Sequence, residues 1–188
     1  KYDMFAWDMA RFGAWADKDF TKSRVGDQYA NRFSIHFPNE ERVAGRPVRT
    51  RPIYEMQKEI GAVMGLNYGW EHPLWFADVP HLKDTNGFTR QNWWEPVGRE
   101  CKMLRENAGI IDISNFAKYL VRGEKAREWL DTVFANNMPM AVGRSCLTPL
   151  ISMRGGLAGD FTVTLMSENE YWILGSGMAE RYHKRFFD

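Results

Sequence analysis

Two cysteines, Cys101 and Cys146, are too few for the disulfide framework of a small secreted domain, and they fit free buried thiols in a reducing compartment. Neither sign of charge is in excess. The 25 Lys and Arg against 24 Asp and Glu leave a net charge of +1, so nothing pulls the chain toward nucleic acid or an acidic polymer. The longest uncharged apolar run falls far short of a membrane span, and residues 1–20 carry charges throughout, with no apolar signal-peptide core. His36, His72, His81 and His183 stand isolated, at no metal-ligand spacing, so no metal is expected. No Gly-x-Gly-x-x-Gly follows a strand pattern, which places the phosphate loop of a dinucleotide fold outside this chain.

What the chain does carry is a heavy aromatic load, 12 Phe, 8 Trp and 7 Tyr in 188 residues, suited to large buried interfaces or planar ligands. Helical spacing predicts helices over 17–31, 52–60, 97–107 and 124–134, the second capped by Thr50 and the third stopped by Gly109 in a left-handed conformation. Alternation predicts strands over 33–37 and 62–68, and two strands or a bent pair over 110–114 and 118–121. Arg42, Arg46, Arg49 and Arg51 crowd a proline-bearing connector. They could hold a carboxylate or phosphate by bidentate contacts, although structural salt bridges between domains are the commoner use. Likewise Gly69–Phe76, with two tryptophans and a phenylalanine, could stack on a planar ring or form a domain seam.

The stretch Met153–Thr164 organises the rest. Apolar residues of strand length precede it, β-formers end it, and Arg154-Gly155-Gly156 between them supplies the positive φ of a tight hairpin. Asp160 then falls at the start of the returning strand, where sheets usually avoid aspartate. It is either a turn-capping group or a functional acid.

Gly155-Gly156-Leu157-Ala158-Gly159-Asp160-Phe161-Thr162-Val163 resembles the Gly-Gly-x-x-x-Asp-x-x-Val segment of the glycine-cleavage T-protein (aminomethyltransferase) family. Asp112-Ile113-Ser114 with Lys118 resembles that family's Asp-x-Ser-x-x-x-Lys block, and Asn136-Asn137 its Asn-Asp turn. Phe37–Pro47, Gly69–Phe76 and Trp93–Gly98 follow one another as in the connector of the dimethylglycine and sarcosine dehydrogenase family, where a flavin domain gives way to a folate domain. Two positions depart from the T-protein pattern. Gly159 stands where it has the first of an acidic pair, and Leu147 stands where it has an aromatic residue thirteen positions before Asp160.

The resemblance implies an α+β chain. Residues 1–92 are expected to form the end of a flavin-domain α/β region and its connector, and 93–188 the N-terminal part of an aminomethyltransferase-like folate-binding domain. It implies FAD, bound mainly upstream, and tetrahydrofolate, with Asp160 as the acid/base or electrostatic group and Asp160, Thr162, Asp112 and Ser114 about the folate. The expected activity is demethylation of dimethylglycine or sarcosine, with transfer of the one-carbon unit to tetrahydrofolate. The alternative is a non-catalytic folate-binding or structural module. Such enzymes are cytoplasmic, or in the mitochondrial matrix of a eukaryote. The chain opens on Lys1 without an initiator methionine and closes at Asp188 inside a helical pattern, so an internal segment of a longer protein is expected.

Overall fold

Asp17 starts the first regular element. Its carboxylate accepts a hydrogen bond from the Phe20 amide (2.8 Å) and so caps α1 (Lys18–Ala30). In this computed structural model residues 4–188 are described, and they divide into two compact units, Gly13–Asn115 and Phe116–Asp188 with the leading residues to Phe12. In the first unit α1 is followed by α2 (Tyr54–Glu59), β1 (Ala62–Asn67), β2 (Trp70–Phe76) and α3 (Trp94–Glu106). β1 and β2 form an antiparallel hairpin around Tyr68 and Gly69. Both turn residues have positive φ, 48° and 83°, as a two-residue hairpin turn requires.

Several local expectations fail in this unit because tertiary partners are missing or different. Residues 33–37 form turns and extended coil, with Phe33 and Ile35 exposed. Alternation makes a strand only when another strand accepts its hydrogen bonds, and none pairs with this stretch among the described residues. Thr50 caps nothing: Ile53 is the N-cap of α2, with no side-chain bond. α3 stops at Asn107 in an extended conformation, and Gly109 does not adopt positive φ. A Cβ at Gly109 would instead overlap Leu104, so that glycine answers to packing. Residues 110–114 are irregular, not a strand, and are held from the side by Arg51. Both cysteines are free, but Cys101 is exposed on α3 rather than buried.

The second unit carries β3 (Ala117–Arg122), α4 (Ala126–Val133), β4 (Ser145–Ile151), β5 (Leu157–Ser167), β6 (Glu170–Gly175) and α5 (Glu180–Lys184). Its sheet is antiparallel in the order β3-β6-β5-β4, which makes β5 a central strand and β4 an edge. The apolar stripe of α4 packs onto one sheet face: Ala126 and Leu130 join Leu150, Phe161, Val163 and Ile173 in the core, with Trp129 and Val133 against it. Each fully buried Leu, Ile, Val or Phe among them stabilises by about 1.5–3 kcal/mol relative to exposure. Phe161, Val163 and Leu165 point into this core, so the residues between them, Asp160, Thr162 and Thr164, take the opposite face. With the hairpin of the other unit, this is an α+β architecture.

Candidate functional site

The turn before Asp160 is closed without it. The Gly155 amide donates to the Ser152 carbonyl (2.8 Å), the Ser152 amide to the Gly156 carbonyl (2.8 Å), and the Gly156 amide to Ser152 Oγ (3.2 Å). Gly155 supplies the positive φ, 77°. β5 begins at Leu157, so Asp160 is its fourth residue, opposite Pro149 of β4. It is exposed, and among the described residues no hydrogen bond or ion pair engages its carboxylate.

The outer sheet face around it is ordered in rows. Lys118 of β3, Leu174 of β6, Thr162 of β5 and Leu147 of β4 lie side by side in register, and Leu120, Trp172, Thr164 and Ser145 form the next row. Ser145 Oγ and Thr164 Oγ1 are hydrogen-bonded at 2.7 Å. Leu147 is 68% exposed, Leu120 48% and Trp172 45%. The face therefore offers one free carboxylate, hydroxyls and uncovered apolar surface, a donor set suited to a flat, partly apolar molecule bearing an amine.

Asp112 and Ser114 lie in the other unit and are engaged there. The Ser114 amide donates to Asp112 Oδ1 (2.8 Å), and Asp112 Oδ2 lies 2.6 Å from Nη1 of Arg51, a pair only 9% and 2% exposed. Arg51 Nη2 also donates to Gln57 Oε1 (3.1 Å). Asp160 and Thr162 thus share one unit, and Asp112 and Ser114 the other.

The connector arginines serve their own unit as well. Arg42 pairs with Asp27 (3.1 Å), and Arg46 grips buried Glu71 through Nε (2.8 Å) and Nη2 (2.6 Å). The Glu71 hydrogen bond, ahead of the opposing effect of burial, raises the pKa of Arg46. Arg49 covers the Trp70 ring at 3.9 Å, and buried Trp75 donates to Asp84 (2.7 Å). The same unit carries a half-open pocket of about 490 Å³ lined by Arg46, Tyr54, Lys58, Met64, Glu71 and Lys83. Burial, reinforced by the charge of Glu71, raises the Tyr54 pKa.

One residue near Asp160 escaped the reading of the sequence. His183 of α5 is buried, and its ring lies 4.5 Å from that of Phe161, the neighbour of Asp160. Burial lowers its pKa, while the charge of Asp160 and a hydrogen bond to the Ala158 backbone oppose that shift. The signal available in the sequence was a pair of glycines inside strands, Gly159 and Gly175. A Cβ on Gly159 would stand 2.6 Å from His183 Nε2, and one on Gly175 would stand 3.3 Å from Nδ1. The departure at Gly159 thus has a steric cause.

Residues 53–187 match the family model described as GCVT N-terminal domain, and residues 1–50 match the FAD dependent oxidoreductase central domain. The two matches meet near residue 50. The chain is 32% identical to mouse (Mus musculus) dimethylglycine dehydrogenase, mitochondrial, over all of its own length and 22% of that protein's. It is 27% identical to 4-methylaminobutanoate oxidase (formaldehyde-forming) of Paenarthrobacter nicotinovorans, covering 96% of the chain and 22% of the relative. The chain thus spans about a fifth of the length of these curated relatives. The crystal structure of the glycine cleavage system aminomethyltransferase T from Bartonella henselae shares the fold, with a TM-score of 0.56 and 23% identity over 74% of this chain and 34% of that one.

Proposed function

Since the chain belongs to the GCVT N-terminal domain family, we propose that it is the folate-facing part of a longer flavoenzyme acting on an N-methyl glycine. The substrate is dimethylglycine or sarcosine, and its one-carbon unit passes to tetrahydrofolate. The observation that carries this reading is Asp160, an exposed strand carboxylate that the preceding turn does not use, on an open face of hydroxyls and apolar side chains. The match to a flavin oxidoreductase domain directly before it, and the similarity to dimethylglycine dehydrogenase over the whole chain, support it further. FAD, which takes up the electrons of the amine, belongs to the remainder of the protein.

Tetrahydrofolate supplies a nucleophilic secondary amine that accepts the one-carbon unit. Asp160 is proposed to hold that amine by its charge and to stabilise positive charge developing there, an effect that strengthens once the bound folate covers the exposed carboxylate and excludes water from it. Thr162, next to it on the outer face, adds a hydroxyl, and exposed Leu147 and Trp172 offer apolar surface to a ring. For Asp112 and Ser114 a folate role is proposed from the family resemblance alone; within their own unit they are ordered by Arg51 and by the Ser114 amide bond. We place the protein in the cytoplasm, or in the mitochondrial matrix if its source is a eukaryote. Among the described residues no helix is long and apolar enough to cross a membrane.

The test is calorimetric binding of tetrahydrofolate to the full-length protein, together with the yield of methylene-tetrahydrofolate per flavin reduced. Binding with a yield near one for each turnover is the expected result. No binding overturns the proposal, and binding without transfer reduces the segment to a folate-holding module.

A further inference from the structure

The strand that carries Asp160 is poorly held where the carboxylate projects. The β5–β6 ladder ends at Thr162–Leu174, so residues 157–161 have no strand partner on that side among the described residues. On the other side the β4 register passes from Leu150–Gly159 to Ile151–Leu157, which leaves Ala158 opposite nothing. Pro149, facing Asp160, has no N–H to give. A bulged, half-paired stretch of this kind is mobile unless something else satisfies its backbone.

We propose that His183 is a positioning residue for Asp160, its imidazole standing in for the missing strand partner of residues 158–161. Three contacts support this. The Ala158 backbone raises the ring's affinity for a proton, as an acceptor facing it would, and Nε2 is the nitrogen that lies against β5. Gly159 leaves the space that Nε2 fills. Phe161 packs against the ring in a tilted arrangement, centroids 4.5 Å apart. His183 thus grips the residue two before Asp160, the one before and the one after, from the face opposite the carboxylate. The proposal rests on the reading of Asp160 given above.

Burial disfavours a proton on the ring, against the pull of Asp160 and of the Ala158 backbone. Nδ1 is buried without a hydrogen-bond partner, so a proton there would be an unsatisfied buried donor. Around the ring, β5 contributes the charge of Asp160 and β6 contributes only Gly175 at this level. α5 itself adds half-buried Glu180, Arg181 and Lys184 on the surface, and Tyr182, whose ring lies 6.0 Å away. Since folding lowers the His183 pKa from its ordinary value of 6.5, the stability it contributes is present above pH 6.5 and is lost as pH falls below that.

The experiment compares His183→Leu, His183→Gln and Asp160→Asn in the full-length protein. His183→Leu should slow the folate-dependent step by about 10-fold or more with amine oxidation unchanged, the scale expected for a misplaced group. His183→Gln, which can donate to Ala158 from the position of Nε2 but cannot titrate, should recover most of that rate and abolish the loss of melting temperature below pH 6.5. In the ring NMR spectrum, Asp160→Asn should move the His183 titration to lower pH, because the charge that opposes the shift is gone. Leu and Gln variants equally slow, or an acid-side melting loss unchanged in the Gln variant, would overturn the positioning role. An Asp160→Asn variant with full transfer activity would overturn the reading of Asp160 instead, and the melting and NMR arms judge His183 independently of it.

Discussion

At the scale of the residue, the question for Asp160 is whether its charge or its shape is used. The turn is closed by Ser152 and the glycines, so Asp160→Asn removes the anion and costs no turn. We expect a loss of ~10²-fold or more in methylene-tetrahydrofolate formation, the usual scale of general acid/base help. Flavin reduction by the amine should be unchanged, and equal transfer rates in both proteins would return Asp160 to a passive role. Gly159 poses the converse question. Gly159→Asp would restore the acidic pair of the T-protein pattern, yet its Cβ would meet the His183 ring at 2.6 Å. A lower melting temperature, equivalent to about 1–3 kcal/mol as overpacked cores show, is expected, and no gain in transfer. Asp160 was legible in the sequence because aspartate beside paired glycines breaks the strand pattern. His183 was not, because its role depends on a helix folding back over a strand that precedes it by about two dozen residues.

At the scale of the element, the connector shows why four arginines accompany one proline-bearing stretch. Arg46 ties it to β2 through Glu71, whose side chain is 2% exposed. Arg46→Ala would leave that carboxylate buried and unpaired, and breaking such a pair costs about 3–5 kcal/mol. The urea midpoint of the unit Gly13–Asn115 should fall accordingly; a midpoint within error of wild type would show that water compensates Glu71. Of the two uses open to these arginines, ligand capture and internal salt bridges, the described contacts of Arg42, Arg46 and Arg51 are of the second kind. The same scale explains the strand that is not there: 33–37 alternates correctly, but a strand needs a neighbour.

At the scale of the whole chain, the outer face of the four-stranded sheet exposes Leu147, Leu120 and Trp172 together. Uncovered apolar surface of this kind drives association or binding. The isolated 188-residue chain should therefore bind a hydrophobic dye such as ANS and sediment faster as its concentration rises. A monomer at every concentration, without dye fluorescence and with one sharp melt, would show that this face is content in water.

Composition and local pattern alone determined that the chain mixes helices and strands, that a glycine turn precedes Asp160, and that a helix lies within 124–134. These depend on neighbours in sequence, on φ freedom and on helical period. Only the tertiary structure decided which alternations became strands, where the arginines spend their charge, and why position 159 has no side chain. Those outcomes depend on groups far apart in the chain, and no local propensity encodes the place where a distant imidazole will lie.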